Sequence, residues 1–137
     1  MFGLSNVGVV EVYRAEASGM GLKALVVPPE APITHAVIKD VKQAVIDEFG
    51  ENSVMIEIAR CESNFRQFDE NGEPIKSYYG TNDIGVFQIN GIHEPTLKKM
   101  GLDRNKLEDN IKYAKYLYEQ NGTRDWKASE KCWKNEI

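Results

Sequence analysis

The segment VMIEIARCESNF, residues 54–65, is the most informative part of the sequence for the fold. Apolar residues fill most of its first half, and Asn52 or Ser53 precedes it as a candidate helix N-cap. We therefore predict a largely apolar helix at the centre of the domain. Glu62 lies at the end of that helix and is followed by Phe65, so apolar contacts could remove water from its carboxyl group. By spacing alone, however, a glutamate at a helix end is more often a solvated surface residue.

Further helices are predicted on both sides of this segment, which makes the expected fold class mainly α. We expect helices from a Thr34 cap to Gly50, over residues 94–100 and over residues 107–120, and a short helical turn over residues 83–89 capped by Asp83. Residues 66–83 have no sustained period, which indicates a long loop or small hairpin suited to binding.

The chain divides into two regions of different character. Residues 1–33 combine scattered glycines with the proline-rich stretch 26–32, so we interpret them as a leader or linker, with a short strand possible over residues 9–13. No cationic residue precedes the apolar start, which argues against a signal peptide. The alternatives are a chain that begins inside a longer precursor, or export by another route. Residues 34–137 form the predicted domain.

The composition is that of one globular domain with a real core. Of 137 residues, 42% are hydrophobic and 28% are charged, both close to globular averages. The net charge of -4 provides no basic stripe for phosphates, which argues against nucleic acid as a partner. No apolar run approaches the roughly 20 residues that span a bilayer, so we predict no membrane span.

Two cysteines are too few for a disulfide framework, but they lie near opposite ends of the best organised region. A bridge between Cys61 and Cys132 would stabilise the domain by about 4 kcal/mol in the chain-entropy model. Cysteine counting alone leaves two unrelated buried thiols as an equal alternative.

Three blocks of sequence, in a fixed order, resemble a known superfamily. The blocks are IARCESNF at 58–65, DIGVFQIN at 83–90 and a region from 110 to 132. The first two resemble the lytic transglycosylases and goose-type lysozymes, in which a helix ends with the catalytic Glu-Ser and a Gly-Leu-Met-Gln-like turn lines the sugar groove. The third resembles resuscitation-promoting-factor-type domains, which carry a cysteine before the catalytic glutamate and a partner cysteine after a tryptophan. The resemblance covers about residues 56–133.

The resemblance implies a lysozyme-like helical domain and assigns roles to individual residues. Glu62 would be the catalytic acid, Gln88 would hydrogen-bond the substrate, and Gly85 would let the backbone approach the sugar. Phe87 would line the groove and Tyr113 would form a wall opposite the acid. The alternatives are a structural turn for Gln88 and core packing for both aromatic residues, and the absence of the usual Tyr-Asn-x-Gly motif leaves Tyr116 as a competitor of Tyr113.

The implied substrate is the glycan strand of bacterial peptidoglycan, cut at the β-1,4 bond between N-acetylmuramic acid and N-acetylglucosamine. Hydrolysis with inversion needs a second carboxylate, and goose-type lysozymes commonly place an aspartate where this chain has Asn90. We count Asn90 among the substrate-binding positions. Four acids in or beside the loop could supply this second carboxylate: Asp69, Glu70, Glu73 and Asp83. Acids in such loops, however, are more often turn or capping residues. We therefore prefer a non-hydrolytic reaction that gives a 1,6-anhydromuramic acid product, with no metal or cofactor.

Other consequences and alternatives follow from the same comparison. The resemblance implies the Cys61–Cys132 bridge and hence an oxidising, extracytoplasmic compartment. A peptidoglycan-binding module without turnover is the competing class, encouraged by the missing Tyr-Asn-x-Gly motif. A metal-dependent hydrolase is disfavoured because His35 and His93 are far apart and no His-Glu-x-x-His pattern occurs. A monomer is assumed.

Overall fold

The computed structural model describes the backbone of residues 33–136 and the side chains of residues 41–136. Within that range the chain is mainly α, with one small two-stranded antiparallel hairpin. The helices are α1 (Ile33–Phe49), α2 (Val54–Ser63), α3 (Glu94–Met100), α4 (Leu107–Asn121) and α5 (Glu130–Trp133), and the strands are β1 (Asp83–Ile84) and β2 (Ile89–Asn90). Turns of 3-10 helix occupy Gly91–His93, Arg124–Ser129 and Lys134–Glu136. The predicted leader or linker and the strand at 9–13 lie outside the described residues.

Helix α2 forms as the sequence predicts, and its two ends are capped. Ser53 is the N-cap, because its backbone is extended and its hydroxyl accepts a hydrogen bond from Met55 N at 3.1 Å. The helix stops where Asn64 adopts a left-handed conformation, with φ 56°. The buried face of α2 consists of Met55, Ile58, Ala59 and Ser63. Of the two candidate caps, Ser53 is therefore confirmed.

Three other predicted helices are present with small differences at their ends. Helix α1 begins one residue before Thr34, so that residue lies in the first turn instead of capping it. The helix ends before Gly50, whose φ is +89°. Helix α3 ends at Gly101 and α4 at Gly122, both with positive φ, which is the usual role of glycine after a helix. No helix within residues 33–136 has the length and apolar character needed to cross a membrane.

The prediction of a helical turn over residues 83–89 is wrong. Strands β1 and β2 pair antiparallel there, with Asp83 opposite Asn90 and Ile84 opposite Ile89. The connecting residues cannot continue a helix, because Gly85 and Gln88 have left-handed backbone angles of +84° and 50°. The hairpin is extended by a bridge between Lys76 and Ile84, so the preceding loop also packs along it.

A buried polar cluster supports the hairpin from inside the domain. Its members are Gln67, Arg104 and Asn110, each at most 5% exposed. Gln67 Oε1 accepts from Val86 N at 2.9 Å, and Asn110 Oδ1 accepts from Phe87 N at 3.0 Å. Arg104 Nη1 donates to the backbone oxygens of Asn82 and Ile89, one on each side of the turn. The turn therefore satisfies its buried backbone groups with side chains from distant parts of the chain.

Replacing Gly85 with alanine should lower the free energy of unfolding by about 2–4 kcal/mol. An added Cβ would lie 2.3 Å from Asn110 Nδ2 and 2.6 Å from Gln67 Oε1, and these buried, hydrogen-bonded amides cannot easily move away. Gly80 is a matched control, because its φ is +76° but nothing lies within 4 Å of the same position. Gly80→Ala should cost only about 1 kcal/mol of backbone strain. Urea unfolding measures both, and equal losses would contradict this account of Gly85.

A disulfide joins Cys61 at the end of α2 to Cys132 in α5, across a sequence separation of 71 residues. The predicted pairing is therefore confirmed. Helix α2 also packs against α5 and against the Arg124–Ser129 turn. The end of the central helix and the C-terminal segment are thus held together by both a covalent bond and apolar packing.

Candidate functional site

Glu62 lies in the last turn of α2, half-buried, beside the disulfide. Its Oε1 accepts a hydrogen bond from the Ser129 hydroxyl at 2.5 Å. Burial raises the pKa of the Glu62 carboxyl, the Ser129 hydrogen bond lowers it, and the negative charge of Asp83 raises it; the net effect is a raised pKa. The group therefore keeps its proton to a higher pH than an ordinary glutamate, as a general acid requires.

Asp83, on strand β1, is a second carboxylate that acts electrostatically on Glu62. Its Oδ1 accepts from Asn90 Nδ2 at 2.7 Å, and its Oδ2 accepts from the Thr81 hydroxyl. Among the described residues, Asp83 is the acid whose charge raises the pKa of Glu62. From the sequence, Asp83 could not be distinguished from turn acids such as Asp69, whose carboxylate accepts hydrogen bonds from backbone amides of its own turn. The carboxylate of Asp83 instead accepts from the Asn90 side chain on the neighbouring strand.

Asn90 lies where, by the resemblance noted in the sequence, goose-type lysozymes commonly carry an aspartate, and both its side-chain oxygen and its side-chain nitrogen make hydrogen bonds. Its Oδ1 accepts from Ile92 N at 2.9 Å and so caps the following 3-10 turn. Its Nδ2 donates to the carboxylate of Asp83, the cross-strand partner. Asn90 therefore holds Asp83 through one amide hydrogen, and the second hydrogen of Nδ2 has no protein acceptor within residues 41–136.

Gln88 and Gly85 form the turn between the two strands. Gln88 is half-buried, and its Nε2 donates to Gly85 O at 2.9 Å, as the structural-turn alternative expects. Its Oε1 has no hydrogen-bond partner within residues 41–136, so this oxygen is free to accept a hydrogen bond. The lack of a side chain at Gly85 makes room for the side chains of Asn110 and Gln67, and not for a sugar as the resemblance implied.

Phe87 and Tyr113 have their side chains in the core, which corrects the expectation that they line a groove. Phe87 is 0% exposed and packs edge-on against Phe49 and Trp126. Tyr113 is 1% exposed, with its hydroxyl 3.1 Å from His93 Nδ1. Both aromatic rings take the packing role that the sequence left open, because the apolar interior offers them more contact than a surface would.

Direct hydrogen bonds fix the hairpin against α2 and the C-terminal segment. The hydroxyl of Ser63, the residue after Glu62, donates to Val86 O at 2.9 Å. Trp126 Nε1 donates to Phe87 O at 3.0 Å from the other side. Hydrogen bonds therefore join α2, the hairpin and the C-terminal segment near Glu62, which limits how far its carboxyl group can move.

Ser129 was not among the site residues predicted from the sequence. The signal was nevertheless available, because a Cys61–Cys132 bridge brings the residue one helical turn before Cys132 close to the residue after Cys61. Among the residues that the structure describes, no group of three or more histidine, cysteine or acidic side chains is placed to hold a metal ion. Comparisons of this chain with protein-family models, with curated proteins and with solved structures found no match.

Proposed function

We propose that this chain cleaves the β-1,4 bond between N-acetylmuramic acid and N-acetylglucosamine in peptidoglycan, with Glu62 as the general acid. The observation that carries the proposal is the half-buried Glu62 carboxyl, whose pKa is raised by burial and by Asp83. Glycosidic cleavage needs such an acid, because the leaving oxygen must be protonated as the anomeric carbon becomes oxocarbenium-like. The substrate class rests on the three sequence blocks that resemble the lytic transglycosylase superfamily.

The first candidate for the reaction is non-hydrolytic and uses Glu62 twice. Glu62 donates its proton to the leaving oxygen, while the N-acetyl carbonyl of the substrate stabilises the anomeric carbon. The resulting carboxylate then takes the proton from the 6-hydroxyl of the same muramic acid, and that oxygen closes onto the anomeric carbon. The product is a 1,6-anhydro ring, no water is consumed, and Glu62 is again protonated. This route needs one carboxyl group that exchanges a proton readily near the working pH.

The second candidate is hydrolysis, and the presence of a second carboxylate that acts on Glu62 favours it. Asp83 lies on the hairpin, is held by Asn90, and acts electrostatically on Glu62. Two carboxyl groups in different environments, one of which has a raised pKa, are the usual equipment of a glycoside hydrolase. In this route Asp83 would stabilise the developing positive charge or activate a water molecule, and the product would be a reducing sugar end.

Mass spectrometry of digested peptidoglycan tests the function and separates the two routes. The wild-type protein should release fragments, and termini one water lighter than reducing muramic acid would establish the anhydro route. Reducing termini would establish hydrolysis, and Asp83→Asn should then suppress them. The absence of any new terminus would contradict the proposal and favour a peptidoglycan-binding module.

The proposed location is extracytoplasmic, where peptidoglycan lies. The Cys61–Cys132 bridge supports this, since such bridges form and persist mainly in oxidising compartments. The proposed partner is the glycan strand itself, and neither route calls for a cofactor.

Replacing Asp83 with asparagine should lower the pKa of Glu62. The wild-type value is raised above the ordinary 4.5 partly by the negative charge of Asp83, so removing that charge makes ionisation of Glu62 easier. Any remaining activity should therefore decline at a lower pH on the alkaline side. A carbon-13 NMR titration of the Glu62 carboxyl measures the shift without depending on turnover. Asp69→Asn is the control, because that carboxylate binds turn amides, and an equal shift in both variants would count against a local effect.

A further inference from the structure

Ser129 contacts Glu62 from a part of the chain that no sequence motif marked. It lies where the Arg124–Ser129 turn meets α5, three residues before the disulfide partner of Cys61. Its hydroxyl group is 2.5 Å from Glu62 Oε1 and 3.2 Å from Trp126 O. A serine hydroxyl has a single hydrogen, so it donates to one of these oxygens at a time. The shorter contact, to a carboxyl oxygen, is the one that strengthens when Glu62 is ionised.

The two oxygens of Glu62 are not equivalent in this arrangement. Oε1 receives the Ser129 hydrogen, whereas Oε2 has no hydrogen-bond partner within residues 41–136. An oxygen that accepts a hydrogen bond is the less favourable place for the acid's own proton, so the proton belongs on Oε2. The same hydrogen bond stabilises the carboxylate after the proton has left, which agrees with the direction in which Ser129 moves the pKa of Glu62.

The contact is held by covalent structure as well as by the hydrogen bond. Cys61 immediately precedes Glu62, and Cys132 follows Ser129 by one helical turn, so the disulfide joins the two short segments that carry the interacting side chains. Trp126 anchors the beginning of the same segment to Phe87 O. Ser129 is thus kept within reach of Glu62 and has little freedom to turn away.

We propose that Ser129 is a positioning residue for Glu62: it fixes the orientation of the carboxyl group through Oε1 and keeps the transferable proton on Oε2. The inference rests on the proposed function, because it assigns Ser129 a part in the proton transfers of Glu62. It adds to that function a residue from the C-terminal segment. It also gives the disulfide beside Glu62 a role, which is to keep Ser129 close to the carboxyl group.

Ser129→Ala tests the inference. The variant loses a hydrogen bond to an ionisable group, so kcat should fall about 10- to 100-fold with little change in KM. The pKa of Glu62 should rise further, since the group that lowers it is gone. Ser129→Thr keeps the hydroxyl and should restore most of both properties. Carbon-13 NMR titration and steady-state kinetics on peptidoglycan fragments give the two readouts.

Ser53→Ala is the matched control for a purely structural effect. It removes the N-cap hydroxyl of α2, which should reduce stability by about 1 kcal/mol and leave the pKa of Glu62 unchanged. An active wild type with unchanged kcat and pKa in Ser129→Ala would overturn the inference alone. A Ser129→Ala variant that loses only stability, like Ser53→Ala, would also overturn it. An inactive wild type would overturn the proposed function together with the inference, so the two failures are distinguishable.

Discussion

Glu62→Gln should reduce the initial rate of peptidoglycan cleavage by about 10²- to 10⁴-fold, the usual contribution of a general acid. Glutamine has nearly the same shape, and its Oε1 can still accept the hydrogen of Ser129. It has no proton of suitable acidity to give to the leaving oxygen. The loss should therefore appear in kcat, with the fold unchanged by circular dichroism. Turbidity of a suspension of purified peptidoglycan measures the rate.

Glu57→Gln provides a control on the same helix. Glu57 pairs with Arg60 at 2.8 Å, one turn before the site, so its loss should change the rate by less than a factor of about 3. A binding module without turnover predicts equal and negligible rates for wild type and Glu62→Gln. Wild-type activity in Glu62→Gln would exclude Glu62 as the general acid and make Asp83 the next candidate for that role.

The helices could be predicted because their signals are local. A cap such as Ser53 and a stop such as Gly101 each act within one or two turns of the chain. The hairpin could not be predicted in the same way. Its turn depends on amide side chains of Gln67 and Asn110, which come from other parts of the chain to satisfy the backbone of Val86 and Phe87. Local sequence gives no sign of such distant partners.

The candidate site shows the same division between local and distant information. Glu62 and the two cysteines could be identified from the sequence because Cys61 and Glu62 are adjacent and because the three sequence blocks follow the order found in a known superfamily. The resemblance to lysozymes pointed to position 90, whereas antiparallel pairing places a carboxylate, that of Asp83, directly across from Asn90. For Phe87 the sequence could not separate a groove residue from a core residue, because both roles use an aromatic ring and only burial distinguishes them.

The combined variant Cys61→Ser and Cys132→Ser should lose about 2–5 kcal/mol of unfolding free energy, since the bridge restricts a long loop in the unfolded chain. Cys132 is exposed and Cys61 half-buried, so a reductant should reach the bridge and have a similar effect on the wild type. Urea unfolding with and without dithiothreitol measures both, and the double variant should not respond to the reductant.

Because the bridge also holds Ser129 beside Glu62, the pKa of Glu62 in the folded double variant should be higher than in the wild type, as expected for Ser129→Ala. A double variant with wild-type stability and wild-type Glu62 pKa would show that packing of α2 against α5 is sufficient without the covalent bond.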